Sequence, residues 1–203
     1  MRAYGRVCIK IHEKGRFHKD RCLAIWIASM ELDIRGINVP KILGYFKFEN
    51  RSFFVSEYLA EGIGLHEYLS RIVGKPEKRR IMMALACWVR KMHDHRIWQK
   101  DFNSTYVLCV KNQFMLIDLD NVKCGKPSER QKIYNLGQLN ASVADIIRLR
   151  DKIRFLYYYF SGKMPNRAKR REIYRKIWEI TLTKNTLVFG LDTPKSNSFE
   201  LPE

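Results

Sequence analysis

The order of apolar patterns along the chain is the feature that most constrains its fold. Apolar and polar residues alternate over residues 4–11, which predicts a strand, and apolar residues recur every three or four positions over 21–35, which predicts a helix. Two strand-like runs, 42–48 and 52–59, are separated by a short polar segment and predict a hairpin. The amino-terminal part is therefore expected to combine a few antiparallel strands with one helix.

Helical periodicity dominates after residue 60. Pro76 suits the first turn of a long helix, and residues 142–145 resemble a capping box ahead of a later one. We therefore expect an α+β chain in which a small mixed lobe precedes a mainly helical one, divided near residues 59–65. The expected elements are helices at 65–72, 76–95, 146–160 and 167–182, and hairpin strands at 106–110 and 114–117.

Composition limits the setting and the partners. The longest uninterrupted apolar run, residues 81–89, is far shorter than the roughly 20 residues of a membrane-spanning helix. No apolar stretch follows the basic amino terminus, and the five cysteines form no C-x-x-C pair, so we expect a cytoplasmic protein with reduced thiols. The net charge of +17 favours an anionic partner, such as nucleic acid, a phosphorylated small molecule or an anionic lipid surface.

Two aspartates frame the second predicted hairpin. Asp101 precedes it, and Asp118 ends it after the apolar run 114–117, 17 residues further along the chain. A strand, a turn and a returning strand of that length bring both carboxylates to the same end of the hairpin. One carboxylate can then orient an attacking hydroxyl while the other holds Mg²⁺ against phosphate oxygens, as in protein kinases. Lys10, in V-C-I-K, matches the kinase strand whose lysine pairs with nucleotide phosphates.

With these residues, the chain resembles the lipopolysaccharide kinase (Kdo/WaaP) family over residues 5–160. The resemblance implies a single protein-kinase-like bilobal domain, with a truncated small lobe over 1–60, a mainly helical lobe over 61–185 and an irregular tail over 186–203. The segments that carry it are Trp26, R-G-I-N-V-P at 35–40, F-F-V-S-E-Y-L at 53–59, M-H-D at 92–94, D-F-N at 101–103 and L-I-D-L-D at 116–120.

The resemblance also implies an activity, which is ATP- and Mg²⁺-dependent phosphoryl transfer to a sugar hydroxyl of the lipopolysaccharide inner core, on Kdo or heptose. The acceptor would be lipopolysaccharide core or another anionic glycolipid, met at the cytoplasmic side of the inner membrane through peripheral contact with its anionic surface. The implied site residues are the catalytic base Asp101, the metal ligands Asp118 and Asn103, and the nucleotide-binding residues Lys10, Glu57 and Leu59.

Departures from the family pattern keep a second hypothesis open. Gln99 stands where the family has a histidine, and Tyr106 stands where an asparagine normally binds a second metal ion, although a phenol is a poor Mg²⁺ ligand. No glycine-rich loop is expected before Lys10, and its candidate acidic partners are Glu31 and Asp20. The alternative function is a catalytically impaired kinase-like module that binds anionic glycolipid or a partner protein.

Two other clusters have simpler interpretations. His93 and His95 lie two positions apart on a predicted helix and point in different directions, which disfavours a metal site. The basic run 163–176 is a solvated helix face, a docking surface for an anionic membrane or phosphorylated glycan, or a surface for nucleic acid. Nucleic acid is an unlikely partner, because we find no helix-turn-helix, zinc or aromatic RNA-binding motif.

Overall fold

The amino-terminal part of the chain forms a three-stranded antiparallel sheet. The computed structural model describes residues 6–13 and 19–189. The strands are β1 (Val7–Glu13), β2 (Ile42–Phe48) and β3 (Arg51–Glu57). Their order in the sheet is β1–β3–β2, with Lys10 of β1 opposite Phe54 of β3. The predicted strand and hairpin are confirmed, apart from residues 4 and 5, which lie outside the described residues.

One helix, α1 (Arg21–Ile34), packs on this sheet. It begins where predicted because Asp20 caps it: the carboxylate accepts hydrogen bonds from Leu23 N (3.0 Å), Ser52 Oγ (2.7 Å) and Tyr45 Oη (2.6 Å). Burial would raise the pKa of Asp20, but these hydrogen bonds outweigh it and hold the pKa well below its usual range. The carboxylate therefore ties the helix to β2 and β3.

A long helix, α3 (Lys75–Asp94), is the centre of the remaining part of the chain. It has a proline in its first turn and ends at Asp94, with His95 as its C-cap, close to the predicted end. The shorter elements around it are β4 (Ile63–Gly64), α2 (Leu65–Ser70), β5 (Ile97–Gln99), β6 (Val107–Val110), β7 (Gln113–Leu116) and β8 (Val122–Cys124). The predicted hairpin is present as the pair β6–β7. Strand β4 extends it to a three-stranded sheet, while β5 and β8 form a separate pair.

Three further helices complete the described chain: α4 (Glu129–Ser142), α5 (Leu149–Tyr159) and α6 (Arg167–Phe189). The capping box predicted at 142–145 is wrong, because Ser142 is the last residue of α4 and its hydroxyl donates to Leu139 O. The real capping box joins Ser128 and Gln131 at the start of α4. Helix α6 continues through 189, so the predicted irregular tail is wrong for 186–189, and residues 190–203 lie outside the described part.

A continuous cluster of buried apolar side chains joins the sheet, α1 and the helices. It runs through α3, whose inward stripe is almost completely buried, and reaches the loop that follows β5 through Phe102. Fully buried members include Leu32, Leu85, Val89, Met92, Phe102 and Leu116. None of the helices in residues 6–13 and 19–189 is both long and apolar enough to cross a membrane.

Candidate functional site

Lys10 extends from β1 into a cluster of two carboxylates. Its Nζ donates to Asp118 Oδ1 and lies 3.4 Å from Asp120 Oδ2. Each of the three side chains is about one-third exposed, so the cluster opens to solvent. Burial lowers the pKa of Lys10, but the hydrogen bond with Asp118 and the negative charge of Asp120 outweigh it and raise the pKa above its ordinary value.

The two candidate acidic partners of Lys10 lie elsewhere. Glu31 pairs with Arg35, the residue that follows α1, and Asp20 is occupied by the cap of the same helix. Neither candidate pairs with Lys10, whose partners are Asp118 and Asp120. The physical reason is local: each candidate already has donors within or beside its own helix, whereas the two aspartates follow β7 on an open loop.

Asp118 has an unusual backbone conformation. Its φ of 55° and ψ of 72° lie in the left-handed region, which aspartate tolerates better than most residues. The conformation ends the extended chain after β7 and starts a single 3₁₀ turn, Leu119–Asn121. Gln99 Nε2 donates to Asp118 O at 3.0 Å and helps to hold the turn.

The loops that carry the two aspartates of the sequence prediction run side by side. Strand β5 pairs with β8, which brings Gln99 opposite Val122, and the pairing continues through Lys100 N, which donates to Asn121 O at 3.0 Å. Asp101 is the next residue after Lys100, and Asp118 lies just before the turn that ends at Asn121. The structure therefore joins both loops through backbone and side-chain hydrogen bonds.

Asp101 is held from the other side by two helices. Gln138 of α4 donates through Nε2 to Asp101 Oδ1 at 3.3 Å, and Lys184 Nζ of α6 lies 3.6 Å from the same oxygen. The Asp101 side chain is 44% exposed, so it remains open to a ligand. Its geometry suits a group that accepts a hydrogen bond from an approaching hydroxyl, as a general base does.

Two buried amides of α4 fix the backbone around Asp101. Asn135 donates to Gln99 O and accepts from Gln99 N, while Gln138 donates to Lys100 O and accepts from Phe102 N. Asn135 is fully buried and Gln138 is 2% exposed. Buried amides whose donors and acceptors are both engaged fix one arrangement of the chain. The loop before and after Asp101 is therefore preset.

His93 belongs to the same buried network. Its Nε2 lies 3.3 Å from Asn135 Oδ1, which only accepts, so Nε2 carries the proton and Nδ1 accepts from Tyr159 Oη at 2.7 Å. Burial lowers the pKa of His93 to about 4, so the ring is neutral at physiological pH. His95 is exposed, so the two histidines differ in environment as well as in direction.

The remaining predicted site residues lie in three places. Asn103 Oδ1 accepts from Thr105 N at 2.9 Å and from the Thr105 hydroxyl, so it caps the 3₁₀ turn Ser104–Tyr106. Glu57 ends β3, and its carboxylate accepts from Lys41 N at 2.7 Å. Leu59 follows β3, and within the described residues its backbone N–H has no hydrogen-bond acceptor.

The chemistry of this donor set fits Mg²⁺. Carboxylate oxygens of Asp118 and Asp120 converge on one positively charged atom, Lys10 Nζ, which marks a position where a cation is favoured. Mg²⁺ commonly binds one or two protein carboxylates and takes its other ligands from phosphate and water. Within residues 6–13 and 19–189, no group of three or more histidine, cysteine or acidic side chains is arranged to hold a metal ion by itself.

Comparison with protein families decides the relationship of the chain. The model of the lipopolysaccharide kinase (Kdo/WaaP) family matches residues 16–159, which is well over half of the chain. The chain belongs to this family. The match includes both aspartate loops and α4, and it ends before α6. Membership of the Kdo/WaaP family supports a kinase-type phosphoryl transfer.

Solved structures give the fold of this Kdo/WaaP family member. A crystal structure of "aminoglycoside-3'-phosphotransferase of type VIII" is similar to it with a TM-score of 0.56 at 14% identity, covering 86% of this chain and 84% of that chain. At this identity the likeness speaks for the fold alone, which is protein-kinase-like, as predicted. No protein with a curated description matches the sequence.

The sequence of this Kdo/WaaP family member does not identify three residues of the site. Asp120 belongs to the L-I-D-L-D segment, and its place two residues after Asp118 is a usable signal. Gln138 gave no signal beyond a polar residue within a helical pattern. Lys184 lay past the predicted end of the last helix, so nothing in the local pattern connected it with Asp101.

Proposed function

We propose that the chain transfers the γ-phosphoryl group of ATP to a hydroxyl of a lipopolysaccharide inner-core sugar, on Kdo or heptose. The observation that carries the proposal is the cluster of Lys10, Asp118 and Asp120 beside the loop of Asp101, in a chain that belongs to the Kdo/WaaP family. A lysine and carboxylates that lie close together suit phosphoryl transfer, because its catalysis consists mainly of positioning and electrostatic stabilisation.

The Lys10 cluster would bind the phosphates. When ATP enters, Lys10 exchanges part of its contact with the aspartates for phosphate oxygens, and Asp118 and Asp120 are the residues that would hold Mg²⁺. When bound, this ion supplies positive charge against the charge that develops on the phosphate oxygens. The adenine would lie against the end of β3, beside Glu57 and Leu59. The backbone N–H of Leu59 has no acceptor within the described residues, whereas that of Glu57 donates to Lys41 O at 2.9 Å.

Asp101 would orient the acceptor hydroxyl and receive its proton. Its side chain is open to a ligand, and the buried amides of α4 keep its loop in place without needing the substrate. Asn103 is the proposed second metal ligand. Its Oδ1 caps the neighbouring turn, so binding a metal through that oxygen would require the Thr105 hydroxyl to turn away.

The acceptor would be lipopolysaccharide core or another anionic glycolipid. Support comes from the net charge of +17 and from exposed basic residues of α6, such as Arg167 and Arg171. Positive charge of this kind attracts a phosphorylated glycan and an anionic membrane surface over several ångströms. A cytoplasmic protein in peripheral contact with the inner membrane is therefore part of the proposal.

The test combines thermal stability with phosphoryl transfer. Mg²⁺ and ATP at about 100 times the Kd should stabilise the chain by about 2.7 kcal/mol, which raises Tm by roughly 5–10 °C. Asp118→Asn should remove most of that rise, and transfer from ATP labelled on its γ-phosphate to dephosphorylated lipopolysaccharide should be lost. Asp33→Asn, at an exposed position of α1, is the control and should leave both unchanged. An unaltered Tm for the unsubstituted protein with Mg²⁺ and ATP would contradict the proposal.

A second candidate is a kinase-like module without turnover that binds anionic glycolipid or a partner protein. It is favoured by Gln99, which stands where the family has a histidine. The Oε1 atom of Gln99 is buried and has no hydrogen-bond partner in the described part of the chain. In that case lipopolysaccharide would bind equally well to the Asp101→Ala variant, and no acceptor would become labelled.

A further inference from the structure

Helix α6 approaches α4 most closely at Gly137. A Cβ built on Gly137 would lie 2.7 Å from both Cβ and Cγ2 of Ile180, closer than real side chains come. The two helices can therefore lie at this separation only because residue 137 has no side chain. The contact between α4 and α6 is also among the most extensive between any two elements of the described chain.

Hydrogen bonds at the same level fix how far α6 is rotated and shifted along α4. Thr181 is 1% exposed. Its hydroxyl accepts from Asn140 Nδ2 at 2.8 Å and donates to Ile177 O at 2.8 Å. A buried hydroxyl with both functions satisfied resists sliding, because a shift would leave polar groups unpaired away from water. The residues just beyond Thr181 are therefore placed accurately relative to α4.

Lys184 lies one helical turn beyond this contact and points back to the site. Its Nζ is 3.6 Å from Asp101 Oδ1, and Gln138, the neighbour of Gly137, donates to the same oxygen. Within the described residues Oδ2 of Asp101 takes part in no hydrogen bond. The two donors therefore hold one oxygen and leave the other to accept a hydrogen bond from a ligand.

We propose that Lys184 is a positioning residue that, with Gln138, fixes the direction of the Asp101 carboxylate so that Oδ2 faces the acceptor hydroxyl. This inference rests on the proposed function. It adds a residue from α6, outside the segment 16–159 that the family model matches. The ammonium also holds the Asp101 carboxylate in one direction before the acceptor arrives, which lowers the reorganisation that the reaction requires.

A matched control lies on the same helix. Lys176 pairs with Glu172, and the exposures of that pair, 44% and 35%, are close to those of Lys184 and Asp101, 33% and 44%. Replacing either lysine with alanine removes one ammonium from α6 and breaks one ion pair with a carboxylate. Only Lys184→Ala removes a partner of Asp101. A difference in kcat between the two variants therefore reports the loss of the contact with Asp101 and not the loss of one positive charge.

The experiment measures kcat and the KM for ATP with dephosphorylated lipopolysaccharide as acceptor. Lys184→Ala should lower kcat by roughly 10- to 100-fold, because a misdirected catalytic group costs about that much, and should leave the KM for ATP within about twofold. Lys184→Arg, which keeps the charge, should recover kcat to within about threefold of the unsubstituted protein. Lys176→Ala should have unchanged kcat at saturating acceptor, because any loss of docking charge would raise the KM for the acceptor instead. In an Asp101→Asn background, Lys184→Ala should cause no further loss.

Three results would overturn the inference. Unchanged kcat in Lys184→Ala would do so while leaving the proposed function intact, since the unsubstituted protein would still transfer phosphate. Equal losses of kcat and Tm in Lys184→Ala and Lys176→Ala would reveal a general effect on α6. Failure of the unsubstituted protein to label any acceptor would reject the proposed function itself, and the positioning role would fall with it.

Discussion

The two aspartates at the centre of the proposed mechanism are held in different ways. Asp118 faces Lys10 in a cluster whose side chains are about one-third exposed, whereas the loop of Asp101 is fixed by Asn135 and Gln138, which are almost completely buried. Salt screens charges near solvent, but it does little to hydrogen bonds inside the protein. The Lys10 cluster can therefore rearrange around an incoming charged ligand, while the Asp101 loop is preset.

The largest predicted effect distinguishes the roles of Asp101 and Asp118. Asp101→Asn should lower kcat by roughly 10²- to 10⁴-fold, because an amide cannot take the hydroxyl proton. It should leave the rise of Tm with Mg²⁺ and ATP intact, since the Lys10 cluster is untouched. Parallel measurements of Tm and labelling on Asp101→Asn and Asp118→Asn check this division. Loss of the nucleotide-dependent rise of Tm in Asp101→Asn would show that the two loops act as one unit.

The Lys10 side of this comparison could be predicted from the sequence to a large extent. A strand that contains V-C-I-K and a hairpin that is followed by an aspartate are local patterns, and the apolar patterns placed both elements close to their observed bounds. The partner of Lys10 could not be predicted, because the choice among four acidic side chains depends on donors that only the folded chain brings together. Glu31 and Asp20 are taken by neighbours close to α1.

The contacts that hold Asp101 and its loop were much harder to predict from the sequence. Asn135 and Gln138 are polar residues within a helix, and nothing in the sequence distinguishes a buried amide from a solvated one. Lys184 reaches Asp101 only because Gly137 lets α6 approach α4 closely. Such a contact depends on the packing of two helices that are distant along the chain, and periodicity describes each helix only by itself.

The second prediction concerns acid and the buried network behind Asp101. Burial lowers the pKa of His93 from 6.5 to about 4. Between these two pH values the imidazole is therefore protonated in the unfolded chain and neutral in the folded chain. The stability that this histidine contributes is complete above pH 6.5 and is lost as the pH falls toward about 4. The loss at the lower limit should be roughly 3 kcal/mol. Urea unfolding at a series of pH values measures it.

His95 offers a matched control for this measurement, because it lies two residues away and is exposed. His93→Gln should unfold with a free energy that falls less steeply between about pH 6.5 and about pH 4, since the titrating group is gone. His95→Gln should keep the full slope of the unsubstituted protein. Identical slopes in all three proteins would mean that His93 is not held neutral by the fold.

The smallest predicted effect tests the Lys10 cluster without any ligand. Lys10→Met leaves Asp118 and Asp120 without their shared cation, so their negative charges repel each other. Because the cluster is partly exposed, the free energy of unfolding should fall by no more than about 1 kcal/mol at low salt, and the difference should nearly vanish at about 1 M salt. Lys111→Met is the control, since Lys111 pairs with Glu61 at 4.0 Å on a strongly exposed surface and should show no measurable change. If Lys10→Met still lowered the free energy of unfolding at high salt, the lysine stem would stabilise the chain by packing. The contrast between an adaptable Lys10 cluster and a preset Asp101 loop would then lose its electrostatic basis.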